Sequence, residues 1–577
     1  MQDIYNPLKE YDSVFRDKFR KVCEDTFGEL VAASGIDINA NRALCAQIDD
    51  LSEQCADTGS KITWMTVVCV VLWLVVAAGV FAAFAFEPNN YYYIAAIAGG
   101  VVALHALLFY VHPKISQLRD IKSDLEAEME EKRQQALKQM QPLNSLYDWD
   151  MFSRMMTQTV PKLEFDPFFT TKRLADLVRT YGWNGSFNQG RSILFSHSGL
   201  INGNPFVICR TREMQWGEKT YYGEKTIHWT TRERGADGKY QTVHHSQTLT
   251  ASVTMPFPEF PELTWLIYGN TAAPDLVFNR KKNTFNSGFS KKIKKMILER
   301  KSRDMDNDFV MATNDDFEVL FTTTDRNHNQ QYFLLFTPLA QESMIDLLSD
   351  SHIGYGDDFN FYKNKKINTI IADHMQELNL DMDPSQFLHY DFEKAKTRFI
   401  ESNSEYFRAI YFCLAPLLCV PLYQQMRPLS QIYGREMPNE SSFWEHEALA
   451  NFWGEGCFAH PDCETHSILK TEAMRQLGGN VEVKVTATGY YSVTKLTYIK
   501  TFGGDGRYHS VPVKYKEYFP IEGVGSMWLH EDTSGDDKNL DPNARQEYIR
   551  QQLKNLGASG KFRRHIASTV ARIARRH

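Results

Sequence analysis

Two long runs of uncharged, mostly apolar residues dominate the hydrophobic pattern of the chain. Residues 62–86 form a run of 25 residues, residues 91–111 form a run of 21, and neither contains Asp, Glu, Lys or Arg. About 20 apolar residues in a helix cross a hydrocarbon core of roughly 30 Å. Because residues 87–90 read Glu-Pro-Asn-Asn, a turn that continues neither helix, the pattern predicts a transmembrane helical hairpin over 62–111.

The basic residues next to these runs predict the orientation of the hairpin. Lys61 precedes the first run, Lys114 and Arg119 follow the second, and the connecting loop has no Lys or Arg. Positive residues accumulate on the cytoplasmic side of a membrane. We therefore expect a multi-pass protein of the plasma membrane with both termini cytoplasmic, including a helical N-terminal region over 1–61.

Regular spacing also predicts a helical stalk after the hairpin. Apolar residues recur at three- and four-residue intervals within the charged segment 112–142, at Ile115, Leu118, Ile121 and Leu125. With the helix before the first span, this segment is expected to form a short antiparallel coiled coil that ends at Pro142.

From about residue 163 the pattern changes to strands separated by turn residues. The predicted strands are Arg191–Ile201, Phe206–Met214, Lys225–Arg232, Tyr240–Met255, Phe309–Thr313, Phe317–Thr323 and Gln331–Phe336. A helix follows from Pro338 to Leu348, with Thr337 as its N-cap. Residues 163–384 are therefore expected to form an antiparallel α+β cytoplasmic domain.

A second helical and β region is predicted over 385–556, before a basic tail at 557–577. Its strands are Val481–Ala487, Val493–Thr501 and His509–Val513, with a glycine-rich turn before the last. The apolar stretch Ala409–Tyr423 is only 15 residues long and carries two prolines. We expect it to be a buried or interfacial segment, with a third membrane crossing as the alternative.

The order of these parts resembles an uncharacterised family of bacterial two-span membrane proteins. The similarity lies in an acidic block, Asn314-Asp315-Asp316-Phe317-Glu318 with Phe321, and in Phe333-Leu334-Leu335-Phe336-Thr337-Pro338. The family's β-rich cytoplasmic domain has no known function. The resemblance therefore implies a membrane-anchored architecture and no specific activity.

Composition and missing motifs narrow the possible functions. The 577 residues include 64 Lys and Arg against 71 Asp and Glu, and the net charge of −7 argues against a generally basic nucleic-acid binder. Nine isolated cysteines without a C-x-x-C pair indicate reduced cytosolic thiols. The sequence has neither a G-x-x-x-x-G-K-[ST] phosphate loop nor a G-x-S-x-G nucleophile elbow.

One short segment suggests a metal site. Cys457, His460, Cys463 and His466 follow one another at three-residue intervals, and sulfur and imidazole are ligands that suit zinc. Structural zinc sites usually place their two ligand pairs a dozen or more residues apart. The alternative is a loop with buried cysteines and surface histidines, and no other cofactor is predicted.

A basic segment suggests contact with an anionic surface. Ten Lys or Arg and a single Glu lie between Arg280 and Arg303, and apolar residues there recur at helical spacing. The residues expected to meet anionic lipid head groups or an anionic partner are Lys291, Lys292, Lys294, Lys295, Arg300 and Lys301. The alternative is a helix that packs its apolar stripe on its own sheet and leaves the basic face in water.

These features favour a non-enzymatic, membrane-tethered binding or scaffold protein that contacts the bilayer and a protein partner. One alternative is a membrane-associated enzyme that uses the Cys/His segment. Another is a transporter or channel component, which requires homo-oligomerised hairpins around His105, the titratable residue well inside a span.

Overall fold

A computed structural model describes residues 4–85, 91–148, 151–166, 168–234, 240–283, 296–297, 310–312, 314–323, 325–428, 441–477, 480–531 and 569–574. Of these residues, 48% lie in helices and 31% in strands. All strand pairs formed by the described residues are antiparallel. The mixture of helix and antiparallel sheet predicted from the sequence is confirmed.

The chain forms two compact units. The helical unit contains Glu24–Tyr147 and Pro384–Ser402, and the β-rich unit contains Met1–Cys23, Asp148–Asp383 and Asn403–His577. The chain passes from the β-rich unit to the helical unit between Asp383 and Pro384 and returns to the β-rich unit at Asn403. The division into two domains near residue 385 stays a prediction. The N-terminus belongs to the β-rich unit as well, since Phe19 stacks on Phe407 with ring centroids 4.1 Å apart.

Two long antiparallel helices form the core of the helical unit. The first is Ile38–Ala85, and the second consists of Tyr91–Ala106, a π-helical turn at Leu107–Val111, and His112–Asn144. The helical hairpin and its helical continuation are confirmed, whereas its placement in a membrane and the coiled-coil geometry remain predictions. Pro142 lies inside the last helix, two residues before its end.

The π-helical turn has a local cause. Pro113 has no amide hydrogen, and in a regular α-helix its ring would collide with the carbonyl group four residues earlier. The wider turn directly before it lets the helix continue. Across the hairpin, buried Leu107, Val111 and Ile115 pack against Met65, Val68, Cys69, Leu72 and Val76.

The outer surface of the hairpin is apolar and exposed. Only 11% of the most apolar stretch of the first helix, within Ile38–Phe81, is buried. Phe81 and Phe109 are each 71% exposed, and Trp64 is 66% exposed. Both helices are long and apolar enough to cross a membrane.

The other helical segments are mostly short. They are Pro7–Glu10, Tyr11–Phe15, Arg16–Ser34, Met151–Thr159, Thr171–Ala175, Asp176–Thr180, Asp315–Leu320, Asn329–Leu335, Pro338–Ser349, His374–Glu377, Pro384–Phe387, Phe392–Leu418, Pro421–Gln425, Phe443–Trp453 and Glu455–Cys457. The stretch Ala409–Tyr423 lies within this set, and Tyr411, Leu414 and Tyr423 are fully buried. Its interpretation as a buried segment is confirmed.

Thirteen strands are described in the β-rich unit. They are β1 Leu163–Phe165, β2 Arg191–Ile201, β3 Asn204–Glu213, β4 Gln215–Arg234, β5 Tyr240–Glu259, β6 Glu262–Gly269, β7 Val277–Arg280, β8 Phe359–Asn364, β9 Ile367–Ala372, β10 Ile468–Leu477, β11 Asn480–Phe502, β12 Tyr508–Glu531 and β13 Thr569–Ala574. The main sheet has the order β1-β2-β3-β6-β9-β8-β7. Its β2–β3 turn contains Asn202 and Gly203 with φ of +48° and +85°, as a two-residue Asn-Gly hairpin requires.

The second sheet has the order β10-β11-β12-β13, and β4 and β5 form a separate two-stranded ribbon. Strands β11 and β12 are much longer than the sequence predicted, because 23 residues of β11 pair without interruption with β12. The ribbon packs on this pair through a buried cluster of Ile227, Leu249 and Val511. A Cβ atom at Gly223 would lie 2.0 Å from the Pro512 carbonyl oxygen, so this approach requires glycine.

The strands predicted between residues 309 and 336 are wrong wherever the structure describes them. Phe317–Thr323 and Gln331–Phe336 are replaced by the helices Asp315–Leu320 and Asn329–Leu335. Asn314 caps the first of these by accepting hydrogen bonds from the Asp316 and Phe317 amides. Four-residue spacing then places aromatic rings on one helical face, where they pack on Phe278. The helix predicted after Thr337 is confirmed as Pro338–Ser349.

Candidate functional site

A β-bulge in strand β2 lies beside a cavity in the β-rich unit. Ile193 pairs with Thr211 and Phe195 with Arg210, so Leu194 is the extra residue of the bulge. Bulges bend a strand and redirect its side chains, and they are common beside functional sites. Here Leu194 and Phe195 line a cavity of about 380 Å³.

Side chains from a helix stabilise the bulge. The Ile193 amide donates to Glu447 Oε2 at 3.2 Å, and the Ile193 carbonyl accepts from Asn451 Nδ2 at 2.8 Å. Both partners lie on the Phe443–Trp453 helix, four residues apart and therefore on one face. The irregular backbone thus keeps its hydrogen bonds, and the helix forms one wall of the cavity.

Both apolar and charged residues line the cavity. The apolar side chains come from Leu194, Phe195, Leu380 and Phe452. The polar lining residues are Arg210, Arg212, Glu262, Asn379, Asp381, Asn451 and Glu455. A concave site with an apolar wall and a few convergent polar groups is the usual form of a small-molecule site.

Arg210 is held rigidly at the edge of this cavity. Its Nε donates to Thr264 Oγ1 at 3.0 Å. Its Nη2 donates to the carbonyl oxygens of Met375, Gln376 and Leu378 at 2.7, 3.1 and 2.8 Å. Burial lowers the pKa of the guanidinium, while Glu262 and Asp381 act in the opposite direction.

Arg212 joins two glutamates beside Arg210. Because β-strand side chains alternate, residues 210 and 212 share one face of β3. Arg212 Nη2 lies 2.7 Å from Glu262 Oε1, and its Nη1 lies 2.7 Å from Glu455 Oε2. Glu455 also accepts from the Ser467 amide at 3.0 Å, which connects the cavity to the segment after the helix.

The same helix carries a buried acid that pairs with a lysine. Glu447 accepts from Asn188 Nδ2 at 2.9 Å, and Lys470 Nζ lies 3.2 Å from Glu447 Oε1. Burial raises the Glu447 pKa from 4.5 to about 7, although Lys470 and the hydrogen bonds to Ile193 and Asn188 lower it. Glu447 therefore joins the helix, β2 and β10 beneath the cavity.

A second cavity of about 620 Å³ also has Glu455 in its lining. Its other lining residues are Phe257, Pro258, Glu259, Phe260, Glu464, Thr465, His466, Lys516 and Tyr518. His466 Nδ1 lies 2.5 Å from Glu455 Oε1, and Lys516 Nζ lies 2.8 Å from Glu464 Oε2. Glu455 therefore lines both cavities, and His466, one of the predicted zinc ligands, lines the second.

The four predicted zinc ligands engage different partners instead of converging. Cys457 Sγ contacts the Trp453 carbonyl oxygen, and Cys463 Sγ lies 3.3 Å from the Thr465 carbonyl oxygen. His460 Nδ1 accepts from the Asp462 amide at 3.1 Å, and His466 faces Glu455. No group of three or more His, Cys, Asp or Glu able to hold a metal ion occurs among the described residues.

The predicted lipid-facing residues Lys291, Lys292, Lys294, Lys295, Arg300 and Lys301 lie outside the described residues, as does most of the basic tail. Arg280, at the start of the basic segment, is described and is not on the surface. It is fully buried, pairs with Asp357 and lies over the Phe359 ring. Arg280 therefore stabilises the β-rich unit.

Sequence reasoning missed the two arginines and the buried glutamate. A weak signal exists for the arginines, because Arg210 and Arg212 alternate within a strand that is otherwise apolar, Phe206-Val207-Ile208-Cys209. Comparison with protein-family models, curated proteins and solved structures finds no match to this chain.

Proposed function

We propose that this chain is an integral membrane protein whose helical hairpin tethers a ligand-binding, β-rich cytoplasmic unit to the plasma membrane. The observation that supports this proposal most strongly is the exposed apolar surface of the hairpin. Large side chains such as Trp64, Phe81 and Phe109, in the described parts of the two apolar runs, are exposed.

The energetic argument rests on the number of such side chains. Burial of one large apolar side chain stabilises a protein by about 1.5–3 kcal/mol relative to its exposure. Soluble monomers rarely expose contiguous apolar patches larger than a few hundred Å². A hairpin that exposes this many large apolar side chains among its described residues is therefore suited to hydrocarbon. The positive residues that flank it favour cytoplasmic termini.

Recognition, rather than catalysis, is the role that the β-rich unit supports best. Arg212 and Glu455 are held in ion pairs, and Arg210 is held by four hydrogen bonds. Rigid, well-oriented polar groups around an apolar wall suit selective binding.

Membrane fractionation tests the tether. The full chain should stay in the membrane pellet after extraction at alkaline pH, and detergent should release it. A variant without residues 62–111 is the matched control and should appear in the soluble fraction. Recovery of the full chain in the soluble fraction without detergent would refute the proposal.

Accessibility to protease tests the orientation separately. Added to intact cells, protease should leave the chain whole, whereas added to permeabilised cells it should degrade the β-rich unit. Loss of this unit from intact cells contradicts the cytoplasmic assignment without affecting the tether.

A further inference from the structure

We infer that the cavity at the β2 bulge binds a small zwitterion of the α-amino acid class, whose carboxylate pairs with the Arg210 guanidinium. This inference deepens the proposed binding role of the β-rich unit. It depends on the chemistry of the cavity lining and not on the membrane tether. The ligand inference and the tether proposal can therefore fail independently.

Arg210 forms no direct ion pair among the described residues, although Glu262 and Asp381 are close enough to influence its pKa. Four hydrogen bonds to Thr264 and to three backbone carbonyl oxygens fix the guanidinium through Nε and Nη2. Within the described part of the chain, no carboxylate oxygen lies within 4.0 Å of it, and Nη1 has no hydrogen-bond acceptor. A fixed guanidinium with a free nitrogen at a cavity is preorganised for a carboxylate.

The other charges of the cavity argue against a simple anion. Arg210 and Arg212 face the carboxylates of Glu262, Asp381 and Glu455, so two positive charges stand against three negative ones. A ligand with only negative charge would pair with Arg210 but be repelled by the net negative charge of the lining residues. A ligand with both a carboxylate and an ammonium group balances both signs, because its ammonium group can face the acidic rim.

The size and the apolar wall further define the ligand. A cavity of about 380 Å³ is at the small end of the range for small-molecule sites. Leu194, Phe195, Leu380 and Phe452 offer a surface for an apolar side chain. An amino acid such as leucine therefore matches the charge, the volume and the wall.

Three probes of similar shape separate the contributions of the charged groups. L-leucine carries a carboxylate and an ammonium group, 4-methylpentanoate lacks the ammonium group, and 3-methylbutylamine lacks the carboxylate. In calorimetric titration of the detergent-solubilised full chain, leucine should bind most tightly and the amine should not bind measurably. A melting-temperature screen with all twenty amino acids at millimolar concentration extends the test beyond leucine.

Variants locate the site. Arg210→Met should weaken leucine binding roughly 10–100-fold, because one charged hydrogen-bonding partner is lost. The matched control Arg475→Met removes an exposed arginine of the same unit and should leave binding within about twofold. Arg210→Lys keeps the charge but should weaken binding and lower the melting temperature, because lysine cannot make the four hydrogen bonds that hold Thr264 and the 375–378 segment. Leu194→Trp, which fills the cavity, should weaken binding in a chain with an unchanged melting temperature.

Three results would overturn the inference. The first is that no amino acid raises the melting temperature of the unmodified chain. The second is that 4-methylpentanoate binds as tightly as leucine, which would remove the role of the acidic rim. The third is that Arg210→Lys and Leu194→Trp bind leucine normally, which would place binding elsewhere.

Discussion

The replacement of Glu447 by Ala tests whether the pair beneath the cavity stabilises the β-rich unit. Glu447 is almost completely buried, and its carboxylate accepts from Asn188, the Ile193 amide and Lys470. The variant removes all three acceptor contacts and leaves the lysine without its carboxylate.

Two effects set the magnitude. Removal of one partner from a fully buried ion pair typically costs about 3–5 kcal/mol. The Lys470 side chain is 38% exposed and can reach water, which reduces the electrostatic part. The Asn188 and Ile193 donors, however, lose a buried acceptor, at about 1–3 kcal/mol for each unsatisfied group. We therefore expect a loss of about 3 kcal/mol of unfolding free energy.

Urea unfolding of the detergent-solubilised chain at pH 8, followed by tryptophan fluorescence, measures this loss. Trp183 and Trp444 report on the adjacent core, because their ring centroids lie 5.0 Å apart. Glu213→Ala is the matched control, since Glu213 is 51% exposed and pairs with Arg191 on the same sheet. It should cost about 1 kcal/mol or less.

The double variant Glu447→Ala/Lys470→Met separates charge from packing. Removal of the unpaired ammonium group should restore part of the lost stability, because the two sites are in contact and their effects are coupled. Equal losses of unfolding free energy for Glu447→Ala and Glu213→Ala would refute the assigned role of the Glu447–Lys470 pair.

Three further predictions concern pH, packing and lipid. The Glu447 pKa is raised in the folded state, so the folded chain keeps this proton up to about pH 7. The unfolding free energy of the unmodified chain, relative to Glu447→Gln, should therefore fall by up to about 3 kcal/mol between pH 4.5 and 7. A rise over this range would contradict the shift. Gly223→Ala should destabilise by about 1–3 kcal/mol through collision with Pro512, whereas Gly185→Ala, with its nearest neighbour at 3.8 Å, should melt like the unmodified chain. Replacement of Lys291, Lys292, Lys294 and Lys295 by Gln should reduce sedimentation with acidic vesicles at low salt; unchanged sedimentation would exclude a lipid contact there.

Elements with a strong periodic pattern could be predicted from the sequence, and elements with competing patterns could not. Strand β2 and the Pro338–Ser349 helix were found because alternation, turn residues and a Thr-Pro start all agreed. The aromatic residues from Phe317 to Phe336 have high strand propensity, but the cap at Asn314 and four-residue packing made these segments helical.

The candidate site could not be predicted because it depends on contacts between distant residues. Glu447 meets Ile193 across 254 positions, and Arg212 meets Glu455 across 243. Short motifs carry no information about such pairs. The Cys/His spacing was the most conspicuous local pattern, yet local backbone geometry gave each of the four residues a different partner.

The β-rich unit is built from segments that are far apart in the sequence, and this has a consequence for biosynthesis. The Ile4 amide hydrogen-bonds to Gln424, 420 residues later in the chain. At about 5–20 residues per second, a ribosome needs roughly 20–80 s to synthesise that interval. Phe15 and Phe19 of the N-terminal segment therefore remain uncovered during this time. The apolar hairpin, which lies between this segment and Gln424 in the sequence, emerges in the same interval. The hairpin is synthesised before the unit is complete, so these aromatic residues need protection during translation.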